Sequence, residues 1–193
     1  MINNREAIEE ILKTIKQSTK KPLTLKIRKM PEQSLIPIIK LAEKYCNAIS
    51  IHPRTQIQGY SGIPDLEFAR YVKQLIKKSN SNFPIIYSGN IETKEKAQNL
   101  LKEFDFIMLG RASIGNPSIF SDITEKKVKN NKKINFFDLL RLSKKINKNL
   151  YVSQIKFQAI NFTKGFEGAP KVRLRLSLAK TESEIISIMN SLN

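Results

Sequence analysis

Apolar and polar positions alternate along this chain in two rhythms. Ala7, Ile8, Ile11, Leu12 and Ile15 recur at helical spacing across residues 4–18, with charges between them, and Lys20-Lys21-Pro22 closes that segment. Leu23 to Arg28 is β-prone, and residues 32–45 return to the helical rhythm, with Pro37 expected to delay or kink the start. A short apolar run at 48–52 reads as a buried strand. Asp65 stands as an N-cap or first-turn residue for a helix reaching about Lys78. Phe83 to Tyr87 is a strand stopped by Ser88-Gly89, Glu92 to Lys102 a helix with Thr93 as cap, and Phe104 to Leu109 a strand stopped by Gly110. Strand–helix alternation of this kind predicts parallel βαβ construction.

After Phe120 the rhythm changes. Glu125 to Lys133 is a charged run, expected to be a solvated linker. Phe136 to Leu150 and Val152 to Phe162 read as amphipathic helices, residues 165–170 as a loop, and Lys171 to Leu178 as helix or strand. Thr181-Glu182-Ser183-Glu184 is a capping-box sequence opening a last helix with Ile185, Ile188, Met189 and Leu192 on one face. The pattern divides the chain into an α/β part, 1–120, and an all-helical part, 121–193.

Composition narrows the class. A hydrophobic content of 40% over 193 residues suffices for a packed core. The lone cysteine, Cys46, excludes an internal disulfide and a cysteine metal cluster, and no metal site is expected. No apolar run approaches the ~20 residues of a membrane span and the start is no signal peptide, so the expectation is a soluble, cytoplasmic protein. The formal charge of +17 favours a polyanionic partner, nucleic acid first, although the Lys-, Asn- and Ile-rich composition of an AT-rich genome would also raise it. Residues 1–120 carry 19 basic and 11 acidic groups; residues 121–193 carry 15 and 6.

Candidate chemistry gathers where strands end. The 48–52 strand delivers the only histidine, His52, with Arg54 two residues on, into a glycine-bracketed polar loop. Lys26, Ser88-Gly89-Asn90 and Gly110-Arg111 fall at the ends of the other three strands, the edge where parallel α/β enzymes bind ligands. The glycines allow close backbone approach to a phosphate, and a short helix after Gly110 would add a helix N-terminus. Cys46 lies on the amino side of its strand, the wrong end for chemistry, and reads as a packing residue.

These stretches carry a resemblance. His52-Pro53-Arg54-Thr55, Gln58-Gly59-Tyr60-Ser61-Gly62, Lys26-Ile27-Arg28, Ser88-Gly89-Asn90-Ile91 and Gly110-Arg111-Ala112-Ser113-Ile114-Gly115-Asn116-Pro117 occur in an order similar to that of tRNA-dihydrouridine synthases. The resemblance implies the second half of a TIM-type (β/α)8 barrel followed by a small helical tRNA-binding domain, with no counterpart for the family's first four strands. A complete barrel takes about 250 residues. The resemblance implies FMN as cofactor, NADPH as its reductant, and reduction of uridine to dihydrouridine in tRNA. It places Lys26 and His52 against the flavin ring, where a cation steadies negative charge, and gives the phosphate to Ser88, Gly89, Asn90, Gly110 and Arg111. Arg28, Arg54, Gln58 and Tyr60 would meet tRNA.

The sequence departs from that pattern at Ser88, where the family has Asn, at Asn90, where it has an acid, and at Pro53, where it has Gly. The proton-donating cysteine of the first half-barrel has no match, so no catalytic residue is assigned. A non-catalytic tRNA-binding remnant and one half of a split enzyme stay open, as does another flavin barrel, against which the Gln58–Gly62 loop and basic tail count. A half-barrel would expose inward apolar side chains such as Leu25, Ile51, Ile86 and Met108, or their alternating neighbours, inviting a complementary amino-terminal half or self-association.

Overall fold

The computed structural model describes residues 4–59, 61–79, 82–124, 135–146 and 149–192. The charged run at 125–133 lies outside them. The chain divides into two compact units, Met1–Leu109 and Gly110–Asn193.

In the first unit helices and strands alternate: α1 (Arg5–Ser18), β1 (Thr24–Arg28), α2 (Glu32–Tyr45), β2 (Ala48–His52), α3 (Leu66–Lys78), β3 (Ile85–Tyr87), α4 (Lys94–Glu103) and β4 (Phe106–Ile107). The strands form one parallel sheet, as the alternation predicts, in the order β1-β2-β3-β4. Helix starts are set by side chains that accept orphan backbone N–H groups: Asn4 from Ala7, Asp65 from Phe68 and Thr93 from Lys96. Pro37 does not delay α2, which begins at Glu32 and carries the proline inside it. The missing N–H removes only the donor to Gln33. β4 starts later than the sequence pattern suggests because the Phe104 N–H closes the last turn of α4 on Leu100.

Side chains alternate across a strand, so the register sorts them into two faces. Leu25, Ile27, Ile49, Ile51, Ile85, Tyr87 and Ile107 share one face; Lys26, Ser50, Ile86 and Phe106 form a row on the other, with Arg28, His52, Ser88 and Met108 beyond it. The first face is the core: Ile27, Ile49, Ile51, Ile85 and Tyr87 are buried together with Leu35, Ile38, Val72, Ile76 and Leu100 of the helices. Each such aliphatic side chain contributes roughly 1.5–3 kcal/mol on burial. The expected inward set is thereby corrected. Leu25 and Ile51 belong to the core face, and only Ile86 and Met108 to the opposite one. That face is mixed, with Phe106 56% and Met108 38% exposed beside Lys26.

The second unit opens with a 3-10 turn at Arg111–Ser113 and continues through α5 (Ile119–Thr124), α6 (Phe136–Lys145), α7 (Val152–Phe162), α8 (Ala169–Leu178) and α9 (Glu182–Asn190). It begins ahead of the change in rhythm at residue 120 because the 110–118 segment packs onto α7. A Cβ at Gly115, whose φ is +76°, would meet the Asn161 carbonyl oxygen at 2.2 Å, and Lys164 Nζ donates to the Ile114 carbonyl at 3.1 Å. Phe136, Leu140, Ile155, Phe162, Leu176 and Ile185 are central to its core. Residues 171–178 are helical: Val172 and Leu176, four apart, are buried, and Leu174 and Leu178 are exposed. At α9 Thr181 accepts from Glu184 N, but the Glu184 carboxylate accepts from Lys180 N, one residue before a strict capping box. Among the described residues no helix is long and apolar enough to cross a membrane.

Candidate functional site

Parallel strands deliver their carboxyl ends to one edge of the sheet, and the first unit's candidate residues collect there. Arg28 is in register with His52, while Lys26 pairs with Ser50 one pleat earlier. The ladder continues past the regular strands through Ser88 N donating to Ile51 O and Met108 N to Tyr87 O, both at 2.8 Å. Ser88 and Met108 are thereby fixed beside the strand ends.

Lys26 crosses this edge. From β1 its side chain passes over β2 to donate to Ser88 Oγ at 3.3 Å, after β3, and to Met108 Sδ at 3.5 Å, after β4. The contact to Ser88 is long, and the thioether of Met108 is a weak acceptor. The Ser88-Gly89-Asn90 turn is shaped by the protein itself. A Cβ at Gly89 would stand 3.2 Å from both Pro64 Cβ and Tyr87 Oη, and Asn90 follows with φ +49°, a left-handed backbone that Asn tolerates better than most residues. Burial pushes the neighbouring Tyr87 hydroxyl up.

The loop after His52 differs from the expectation. Arg54 is only 1% exposed; its guanidinium donates to the carbonyls of Ser61 and Gly62, the latter at 2.7 Å. Gln58 Nε2 donates to the Ser61 and Ile63 carbonyls, each at 3.1 Å, and Arg28 Nη1 to the Thr55 carbonyl at 3.1 Å. Assigning Arg54 as a tRNA contact is therefore corrected. Its charge satisfies loop carbonyls that turn inward, and Gln58 and Arg28 brace the same loop. Among the loop's described residues, Ile57 and Ile63, 99% and 83% exposed, face outward. Tyr60 lies outside the described residues. The loop's exit is pinned by Asp65, which caps α3 and accepts from Lys29 Nζ at 2.6 Å. That bond from Lys29, with the Phe68 N–H, holds the Asp65 carboxyl below the usual range.

Gly110 and Arg111 open the second unit. The short helix expected there is a three-residue 3-10 turn, too short to sum a useful dipole. Gly110 has φ −113° and a Cβ on it would meet nothing within 4 Å, so the chain's own packing does not require glycine. Cys46 caps the end of α2 on the amino side of β2, nearly buried, its thiol pushed up by burial.

One residue of the site was not singled out. Ser50 stands between Lys26 and Ile86 in the row, 1% exposed, and its Oγ is the one buried side-chain polar atom left without a hydrogen bond among the described residues. Its signal in the sequence is a hydroxyl residue in an otherwise apolar strand, two before the histidine. In the second unit a cleft of about 520 Å³ has Arg111, Lys164 and Phe166 in its wall.

Comparison with known proteins points one way. The family model for dihydrouridine synthase (Dus) matches residues 1–190. The chain is 36% identical over 124 residues to tRNA-dihydrouridine synthase B of Pectobacterium carotovorum, covering 61% of this chain and 37% of that protein. It is 34% identical over 124 residues to tRNA-dihydrouridine synthase B of Vibrio vulnificus, with the same coverage, and 29% identical over 129 residues to that of Pseudomonas aeruginosa, covering 64% and 37%. The alignable region thus spans little more than a third of the length of these relatives.

Proposed function

The chain belongs to the dihydrouridine synthase family, and from that premise we propose that it takes part in the FMN-dependent reduction of uridine to dihydrouridine in tRNA, with NADPH as reductant. On this reading the first unit is the second half of a (β/α)8 barrel and the helical unit bears on tRNA. The observation that carries it is the lysine whose ammonium lies across the carboxyl ends of the sheet, in a chain matched by that family over nearly its whole length.

The residues present fit a flavin. Lys26, Ser88 and His52 offer charge and hydrogen bonds on one side of the sheet, and the unpartnered Ser50 hydroxyl lies among them. Lys26 would hold the polar edge of the ring and His52 would line it. The Ser88-Gly89-Asn90 turn would bind the phosphate; Gly110 and Arg111 are given that role by the resemblance alone. When bound, the flavin supplies hydride to the uracil ring.

No proton donor is assigned among the residues of this sequence, whose single cysteine sits at the amino side of β2. A complementary set of barrel strands would provide one and would cover the exposed Phe106 and Met108. The second unit's cations and exposed aromatic residues suit RNA, which binds basic surfaces and stacks on rings.

Three measurements test this: scattering mass, flavin absorbance, and NADPH-dependent dihydrouridine formation in tRNA. The chain alone is expected to self-associate, retain little FMN through purification although it binds FMN added at millimolar concentration, and lack turnover. A yellow monomer that reduces tRNA unaided would overturn the need for a complement. tRNA affinity should fall steeply with salt as lysines displace condensed counterions. No binding even at low salt would overturn the tRNA assignment.

A further inference from the structure

We infer that Ser50 is a flavin-contacting residue, its hydroxyl uncovered when Lys26 turns to the ligand. The inference rests on the flavin reading above and adds to that site a group that neither the motifs nor the resemblance assigns.

Four observations support it. Ser50 occupies the middle of β2, bordered by β1 and β3, in a strand whose other residues before His52 are all apolar and buried. Its hydroxyl is buried without a partner. A buried hydroxyl in that condition costs about 1–3 kcal/mol, and alanine would fill nearly the same space without the penalty. The serine is therefore not there for the stability of the ligand-free sheet.

The third observation is its face. By register Ser50 shares a side with Lys26 and Ile86, and by alternation with His52 and Ser88, away from the apolar core. The fourth is its cover. Lys26 must cross β2 to reach Ser88 and Met108, so its aliphatic stem lies over the Ser50 row, and its terminal contacts of 3.3 and 3.5 Å are weak ones. Exchanging them for a polar, electron-rich ring edge involves little loss and moves the stem off Ser50. A hydroxyl both donates and accepts, so it can serve either a carbonyl oxygen or a ring nitrogen of such a ligand.

The experiment uses the full chain with FMN titrated to millimolar concentration, followed by quenching of flavin fluorescence, beside urea unfolding without ligand. Ser50→Ala is expected to unfold at the same or a higher urea concentration than wild type, while its FMN affinity falls by about tenfold. Ser50→Thr, which keeps the hydroxyl, should restore most of that affinity. An unchanged FMN affinity in Ser50→Ala beside a binding wild type overturns this inference alone. So does a lowered urea midpoint in Ser50→Ala, which would show the hydroxyl already partnered. A wild-type chain that fails to bind FMN overturns the flavin reading, and this inference with it.

Discussion

The two faces of the four-stranded sheet share one backbone and one ladder, yet they follow opposite rules. The face of Ile27, Ile49, Ile51, Ile85 and Tyr87 is apolar and buried. The opposite face mixes a lysine, an arginine, a histidine and two serines with Ile86, Phe106 and Met108, and leaves one buried hydroxyl unsatisfied. A surface built only for stability would not bury an unmatched hydroxyl under a weakly held cation. The difference separates the side that keeps the fold from the side available for a ligand, and substitutions on each should separate stability from binding.

The largest effect is expected on the core face. Ile51→Ala should lower unfolding free energy by about 2–5 kcal/mol in urea titration, since a side chain with no exposed surface leaves a cavity. Phe106→Ser, on the other face, should stay within about 0.5 kcal/mol. Equal losses at the two positions would erase the distinction.

Arg54→Met should come next, at about 2–3 kcal/mol, because it strands the inward carbonyls of Ser61 and Gly62. Limited proteolysis within 54–63 should accelerate with it. An unaltered urea midpoint would return Arg54 to the role of a surface contact.

Lys26→Met is expected to leave stability within about 0.5 kcal/mol while weakening FMN binding about tenfold. Fluorescence titration and urea unfolding read the two separately, and a loss of stability without a loss of affinity would make Lys26 structural.

The smallest effect concerns acid. Asp65 has its folded pKa depressed, chiefly by the Lys29 bond, so its contribution is present above the unfolded value of about 3.9 and lost as pH falls through the folded one. Asp65→Asn keeps a capping oxygen but loses the ion pair. Its urea midpoint should therefore decline less than that of wild type between pH 6 and pH 3, and parallel declines would remove Asp65 from the acid response.

Much of this was legible in the sequence, for local reasons. Strand positions and helix starts followed from apolar runs and from caps such as Asp65 and Thr93, which act on neighbours three residues away. The faces were not legible, because in β2 all residues from Ala48 to Ile51 are buried and alternation leaves no trace there. Residues 171–178 present apolar side chains at every second position, and only Gly168, with φ +71°, and the Ala169-Pro170 start settle them as helix. Lys26 stood out as a cation in a strand. Arg54 misled because its partners are backbone carbonyls seven and eight residues on, which no side-chain pattern encodes. Ser50 acquires meaning only from the strands on either side of it.

The contrast between faces can be read directly from methyl spectra of the isoleucine- and methionine-labelled chain during FMN addition. Ile86 and Met108 methyl signals should shift with rising FMN while those of Ile49, Ile51 and Ile85 stay in place. Shifts confined to the core-face isoleucines, or none at either face at millimolar FMN, would contradict the assignment of this side of the sheet to the ligand.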